Sequence, residues 1–251
     1  MRYDLKEIAG MIDHSILHPT MTDKDLEEGC AVAIRYHTAS VCIKPYAVKR
    51  AAELLEGSGI PVCTVIGFPH GSQTIATKVF ETKEACSNGA REIDMVVNIG
   101  KVMGGDWAYV TDEIRQINQA TVSNGALLKV IFENDYLQDE QKIRLCQICS
   151  ELGVAFVKTS TGYGYTKGAD GKFSTKGATL ADCALMLANV APAVQVKAAG
   201  GVRSLDELLK MKEIGVTRIG ATATALIVEE ARKRMGLESE GDVSGQDTAG
   251  Y

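Results

Sequence analysis

Residues 11–20 read "MIDHSILHPT", a short apolar run with polar residues interleaved, ending in histidine, proline and threonine. It is the first strand-like segment of the chain, and the turn after a first strand separates two α/β architectures. An open, doubly wound sheet built around a dinucleotide places a glycine-rich turn there, so that backbone can approach the pyrophosphate. No glycine closes this run. A barrel of alternating strands and helices makes no such demand.

Seven further runs lie downstream: "ASVCIKP" (39–45), "PVCTVIGF" (61–68), "EIDMVVN" (92–98), "LLKVIFE" (127–133), "VAFVKTS" (154–160), "AVQVKAAG" (193–200) and "VTRIGAT" (216–222). Runs so nearly continuous in apolar residues suit strands buried on both faces of a parallel sheet. Helical patterns separate them at roughly 22–36, 45–56, 74–88, 105–123, 138–152, 178–190, 204–214 and 224–235. The first opens on Thr22 and is expected to turn Leu26, Cys30, Ala33, Ile34 and His37 to one buried face. The second has Pro45 in its first turn and Val48, Ala51, Ala52 and Leu55 inward. Ser204 and Glu207 have the spacing of a capping box. Gly59, Gly89, Gly125, Gly153 and Gly215 fall just past helix ends, where a left-handed residue is wanted. Eight strands alternating with helices in 251 residues predict an α/β protein, a single-domain (β/α)8 TIM barrel over residues 1–235. Residues 162–177 form a long loop rich in Gly, Lys and Thr, and residues 236–251 read as a flexible polar tail.

Composition narrows the function. A net charge of −5 with scattered basic residues provides no field for nucleic acid or an anionic membrane, so neither is expected as a partner. No run of eighteen apolar residues and no apolar leader is present, and seven cysteines do not make a disulfide framework. The expectation is a cytoplasmic protein with reduced thiols. Cys146 and Cys149 form a lone C-x-x-C inside a helical pattern and read as core. His14, His18, His37 and His70 are too dispersed for a metal site, and no metal or cofactor is expected.

Two strand-like runs end alike. "FVKTSTGYGY" (156–165) and "VQVKAAGGVRS" (194–204) each carry a lysine through apolar residues to a glycine-bearing turn. In a barrel, the active site lies where strands end at their C-terminal side. Neighbouring strands lie about 4.8 Å apart, so Lys158 and Lys197, inward at matching heights, would face each other closely. A lysine of ordinary pKa is a free amine only about once in 2,500 at pH 7. A second ammonium and burial are expected to lower that pKa and yield an amine nucleophile for Schiff-base chemistry. One such lysine reads more simply as a side chain snorkelling between helices; two in the same pattern favour function. Asp94, between Ile93 and Met95, supplies a carboxylate for proton transfer, or alternatively a structural partner for Arg91 or a lysine. Lys129 and Glu133 share parity on the fifth strand and read equally as an extension of this network or as a buried pair. Gly200, Gly201 and Arg203, then Gly220 and Thr222, occupy the turns after strands seven and eight, where barrels commonly bind phosphate, and Ser204 opens a helix whose N-terminus favours anions. Asp13 and Cys42, on early strands, are candidates to line the mouth.

With these residues in view, the chain resembles the deoxyribose-phosphate aldolase family. The resemblance rests on "FVKTSTG", "VKAAGGVR" and "EIDMVVNIG", supported by "VCTVIGFPHG", "SVCIKP" and "LLKVIFE", and spans residues 8–235. It implies a (β/α)8 barrel that reversibly cleaves 2-deoxy-D-ribose 5-phosphate to D-glyceraldehyde 3-phosphate and acetaldehyde, without metal or cofactor, commonly as a homodimer. It implies Lys158 as the Schiff-base lysine, Lys197 as its perturbing partner and Asp94 as proton donor and acceptor. Phosphate is implied at Gly162, Gly200, Gly201, Val202, Arg203, Gly220 and Thr222, with Thr161 as a further lining residue. Two positions depart from the family pattern. Tyr163 stands where many relatives have a basic residue, followed by the 164–176 insertion, which leaves Lys167, Lys172 or Lys176 to supply a charge. Ala223 stands where relatives often have serine. The terminal Tyr251 resembles a tyrosine that folds back into the site in some relatives. The alternatives are a Schiff-base aldolase acting on another phosphorylated sugar, and a non-catalytic barrel that binds phosphosugars.

Overall fold

The computed structural model describes residues 3–240, so Tyr251 and most of the polar tail lie outside the described residues. Eight parallel strands close into a barrel: β1 (Ile12–Ile16), β2 (Ser40–Ile43), β3 (Val62–Ile66), β4 (Ala90–Val96), β5 (Leu127–Ile131), β6 (Phe156–Lys158), β9 (Gln195–Ala199) and β10 (Arg218–Ala221), with β10 returning to β1. Two short strands, β7 (Thr166–Lys167) and β8 (Phe173–Ser174), pair antiparallel as a hairpin within the long loop after β6. The helices are α1 (Leu5–Ala9), α2 (Asp23–Tyr36), α3 (Val48–Leu54), α4 (Ile75–Ser87), α5 (Ile99–Met103), α6 (Trp107–Ser123), α7 (Asp139–Glu151), α8 (Leu180–Asn189), α9 (Leu205–Glu213) and α10 (Thr224–Arg234).

The local signals act as their chemistry dictates. Thr22 and Ser204 close capping boxes with Asp25 and Glu207. All five punctuating glycines have positive φ, from 63° at Gly153 to 113° at Gly89. Helix α2 corrects one expectation. It ends at Tyr36, and His37 turns left-handed at φ 54°, which swings His37 off the buried face. Ile34 is 37% exposed, and Tyr36 is buried in their place, donating to Glu229 Oε1 at 2.8 Å.

An apolar shell of β-branched residues, leucines and small side chains fills the space between strands and helices. Inside the barrel, a small apolar cluster of Leu17, Cys42, Cys63 and Val65 sits beside charged residues. Barrel interiors are ordinarily packed with branched aliphatic layers. Here the register instead brings charges level with one another: Asp94 pairs with Lys129, Lys158 with Lys197, and Lys197 with Arg218.

Candidate active site

Asp94 is the hub of this interior. Its Oδ1 accepts from Lys129 Nζ at 2.9 Å and from Cys63 Sγ at 3.2 Å. Its Oδ2 accepts from Lys158 Nζ at 2.7 Å and Lys197 Nζ at 2.8 Å. Asp13 forms a second node, with Lys197 Nζ at 2.5 Å, Lys129 Nζ at 3.2 Å, Arg218 Nη1 at 2.6 Å and the Ser40 hydroxyl at 2.7 Å. Glu92 completes the group, 2.5 Å from Lys129 Nζ and 3.0 Å from Arg218 Nη1. Four cations thus face three carboxylates, and Asp13, Asp94 and Lys129 are wholly buried.

Such burial is tolerable only because every charge is paired. Burial raises the pKa of Asp94, but Lys129, Lys158 and Lys197 outweigh it and hold the carboxyl well below its usual range. Asp13 is held low by Lys129, Lys197 and Arg218 in the same way, against its burial. Burial pulls Lys197 down, but Asp13 and Asp94 together outweigh it and hold the ammonium above its ordinary range. Lys158 differs from its neighbours in having one carboxylate partner, where Lys197 has two and Lys129 three.

Lys158 and Lys197 open into a small pocket at the barrel mouth, lined also by Asp13, Ser15, Leu17, Cys42, Thr161, Ala199, Gly200 and Gly220. Cys63 beside Cys42 lowers the Cys42 thiol's pKa. Next to this pocket, and sharing Gly200 with it, is a cleft of about 370 Å³. Gly162, Gly201 and Arg203 line it, with Thr175, Lys176, Gly177 and Glu207. Of the other residues implied for phosphate, Val202 is buried, Gly220 belongs to the lysine pocket, and Thr222 is half-buried beyond β10. The α9 N-terminus carries the capping box that the Ser204–Glu207 spacing predicts. Arg203 N, just before the helix, and the N-cap Ser204 N donate to Glu207 Oε2 at 2.8 and 3.0 Å, which sets a carboxylate of the chain itself at this end of the cleft.

Other pairings are corrected. Arg91 donates to Ala90 O and plays no part at Asp94. Lys129 joins Asp94, while Glu133 lies beyond the end of β5 with φ 59° and accepts from Thr161. The sequence pattern singles out neither Glu92 nor Arg218. For Glu92 a signal exists, since it stands two residues before Asp94 and shares its face of β4. Cys42, Cys63 and Asp94 approach one another closely enough to grip a metal ion, but Lys129 already donates to both Cys63 and Asp94.

A parallel barrel with two lysines and an aspartate bonded together inside it, beside a pocket at its mouth, has the layout of a barrel enzyme, whose site lies at the C-terminal ends of the strands. The family model for DeoC/LacD family aldolases matches residues 8–247, and the chain belongs to that family. It is 48% identical over 249 residues, 99% of each chain, to the deoxyribose-phosphate aldolase of Rhodopirellula baltica. It is also 48% identical to the Bacillus cytotoxicus enzyme of that name, over 88% of this chain and 94% of the relative. Among solved structures, a putative deoxyribose-phosphate aldolase from Coccidioides immitis superposes with a TM-score of 0.83 at 35% identity, covering 92% of this chain and 87% of that one. The tetrameric enzyme from Aeropyrum pernix superposes with a TM-score of 0.82 at 27% identity, covering 92% and 93%.

Proposed function

We propose that this aldolase cleaves 2-deoxy-D-ribose 5-phosphate reversibly to D-glyceraldehyde 3-phosphate and acetaldehyde through a Schiff base on Lys158. The observation that carries the reading is the arrangement around Lys158. It lines the pocket at the barrel mouth, its amine tied to a single carboxylate, with a cleft suited to an anion one glycine away. The relatives' shared activity supplies the substrate.

The chemistry derives from that arrangement. The Lys158 amine adds to C1 of the open-chain aldehyde, and loss of water leaves an iminium. Asp94 and a water relay take the proton from the C3 hydroxyl. The C2–C3 bond breaks, its electron pair enters the iminium, and glyceraldehyde 3-phosphate departs. The remaining two-carbon enamine is reprotonated at C2, and water then hydrolyses the imine to free acetaldehyde and the amine. Lys197, held cationic by Asp13 and Asp94, stabilises the Asp94 carboxylate and donates toward the developing oxygen charge. The phosphate rests at Gly162, Gly200, Gly201 and Arg203.

The reading extends to setting and assembly. All seven cysteines are free and buried, as a reducing cytoplasm would leave them, and no helix among the described residues is long and apolar enough to cross a membrane. A homodimer is the expected assembly, and Phe80 on α4, 67% exposed, is the kind of side chain such an interface covers.

Incubation with 2-deoxyribose 5-phosphate and sodium borohydride, followed by peptide mass mapping, tests the chemistry. A two-carbon adduct on Lys158 is expected. An adduct on Lys197 or Lys129 instead would reassign the nucleophile, and absence of any adduct would overturn the Schiff-base reading.

A further inference from the structure

The segment after β5 reads Glu133–Asn134–Asp135–Tyr136, and both of its carboxylates end on the loop between β6 and α8. Glu133 is buried and takes a left-handed backbone, which costs a non-glycine residue about 1 kcal/mol or more. It accepts from the Thr161 backbone N–H at 3.3 Å and from the Thr161 hydroxyl. Asp135 accepts from Lys176 N at 2.6 Å, Gly177 N at 3.1 Å and the Thr175 hydroxyl at 3.0 Å. One short piece of chain therefore grips the loop at its entry and at its exit.

The exit is fixed a second time by Gly200. Ala178 N donates to Gly200 O at 2.9 Å, and the two backbones cross so closely that a Cβ on Gly177 would lie 2.4 Å from that oxygen. Lys176 is the residue just before this crossing. It is thereby delivered to the rim of the anion cleft, where its ammonium has no ion pair among the described residues. Lys167 and Lys172 sit on the exposed hairpin and do not line the cleft.

Charge counting shows what Lys176 changes. The cleft is lined by Arg203 and Glu207, which cancel, and by Lys176. A phosphate monoester carries about −1.5 to −2 at pH 7. Without Lys176 it would meet a rim of zero net charge that already presents a carboxylate.

We propose that Lys176 is the cation by which this enzyme prefers the phosphorylated sugar to the free one, and that Asp135 is its positioning residue, acting through the backbone of residues 175–177. The proposal rests on the aldolase reading above. Its measure is selectivity: the ratio of kcat/KM for 2-deoxyribose 5-phosphate to that for 2-deoxyribose. In Lys176→Gln the ratio falls about tenfold, carried by KM for the phosphorylated sugar, the loss of one charge-assisted contact. Asp135→Asn shifts the ratio in the same direction, and the double variant falls no further than Lys176→Gln, because Asp135 acts through Lys176. Lys172→Gln, on the exposed hairpin, leaves the ratio as it was. Thermal melting of each variant confirms folding, and a general structural defect would lower both kcat/KM values together and leave their ratio alone. An unchanged ratio in Lys176→Gln overturns the proposal, as do multiplicative effects in the double variant. Wild-type protein that cleaves neither sugar would overturn the aldolase reading instead.

Discussion

Replacing Lys158 with methionine should cost the fold little, whereas replacing Asp94 with asparagine should cost it heavily. With all members ionised, Lys129, Lys158, Lys197 and Arg218 face Asp13, Glu92 and Asp94, an excess of one positive charge inside the barrel. Lys158→Met removes that excess and keeps nearly the same length of side chain. Asp94 is not orphaned by it, since Oδ2 retains Lys197 at 2.8 Å and Oδ1 retains Lys129 at 2.9 Å. The expected change is within about 1 kcal/mol of wild type, in either direction. Asp94→Asn instead raises the excess to two and points an amide at three ammonium groups. Breaking a buried pair from one side costs about 3–5 kcal/mol, and Asp94 is wholly buried, which places it at the upper end.

The double variant sharpens the test. Lys158→Met in the Asp94→Asn background restores the wild-type charge excess, so it should recover on the order of 1–2 kcal/mol, well outside additivity. Urea unfolding followed by circular dichroism at pH 7 gives the four free energies, with coincidence of two probes as the check on two-state behaviour. If Lys158→Met proves as destabilising as Asp94→Asn, or the two effects simply add, Lys158 is a structural ion-pair partner. Its tie to a single carboxylate then no longer accounts for reactivity. A buried lysine that the fold can dispense with is the usual mark of a site kept for activity at the expense of stability.

The loop and its anchors lead to two further outcomes. Burial foremost, and Asp135 beside it, push the Glu133 carboxyl up to about 7 against the opposing pull of the Thr161 bonds and Lys158. Between the range of an ordinary glutamate and pH 7 the folded protein thus holds a proton that the unfolded chain has lost. Stability from this group is greatest at the acid end and falls as pH rises, by about 3 kcal/mol over the window. Urea melts of wild type and Glu133→Gln at about pH 4.5 and about pH 7.5 should show the gap between them moving by that amount, and a constant gap would place the carboxyl elsewhere. Gly177→Ala combines a left-handed φ of 62° with a Cβ 2.4 Å from Gly200 O, whereas Gly171→Ala has φ 78° and an open surround. The first should lose about 2 kcal/mol more than the second, and equal melting temperatures would mean that the backbones do not cross as described.

The barrel is legible in the sequence because its strands are apolar runs punctuated by glycines that the chain needs in left-handed form. The central site is legible for a related reason. A charge inside an apolar run is costly to bury, so Asp94, Lys158 and Lys197 stand out against their neighbours. The same contrast fails for Asp13, which lies beside His14 and Ser15, and for Arg218, which comes directly after a threonine; neither interrupts a clean apolar run. Short helices such as α1 and α5, five residues each, are too brief for a 3.6-residue period to show. Glu133 exposes a sharper limit. It does share parity with Lys129, but parity sets direction only while the strand lasts, and β5 ends at Ile131. Two residues later a left-handed backbone aims the carboxylate at Thr161. The choice among Lys167, Lys172 and Lys176 lies beyond sequence for the same reason, because it depends on where the loop crosses Gly200. A strand's cargo can be read from its pattern, but a loop's depends on contacts that only the folded chain creates.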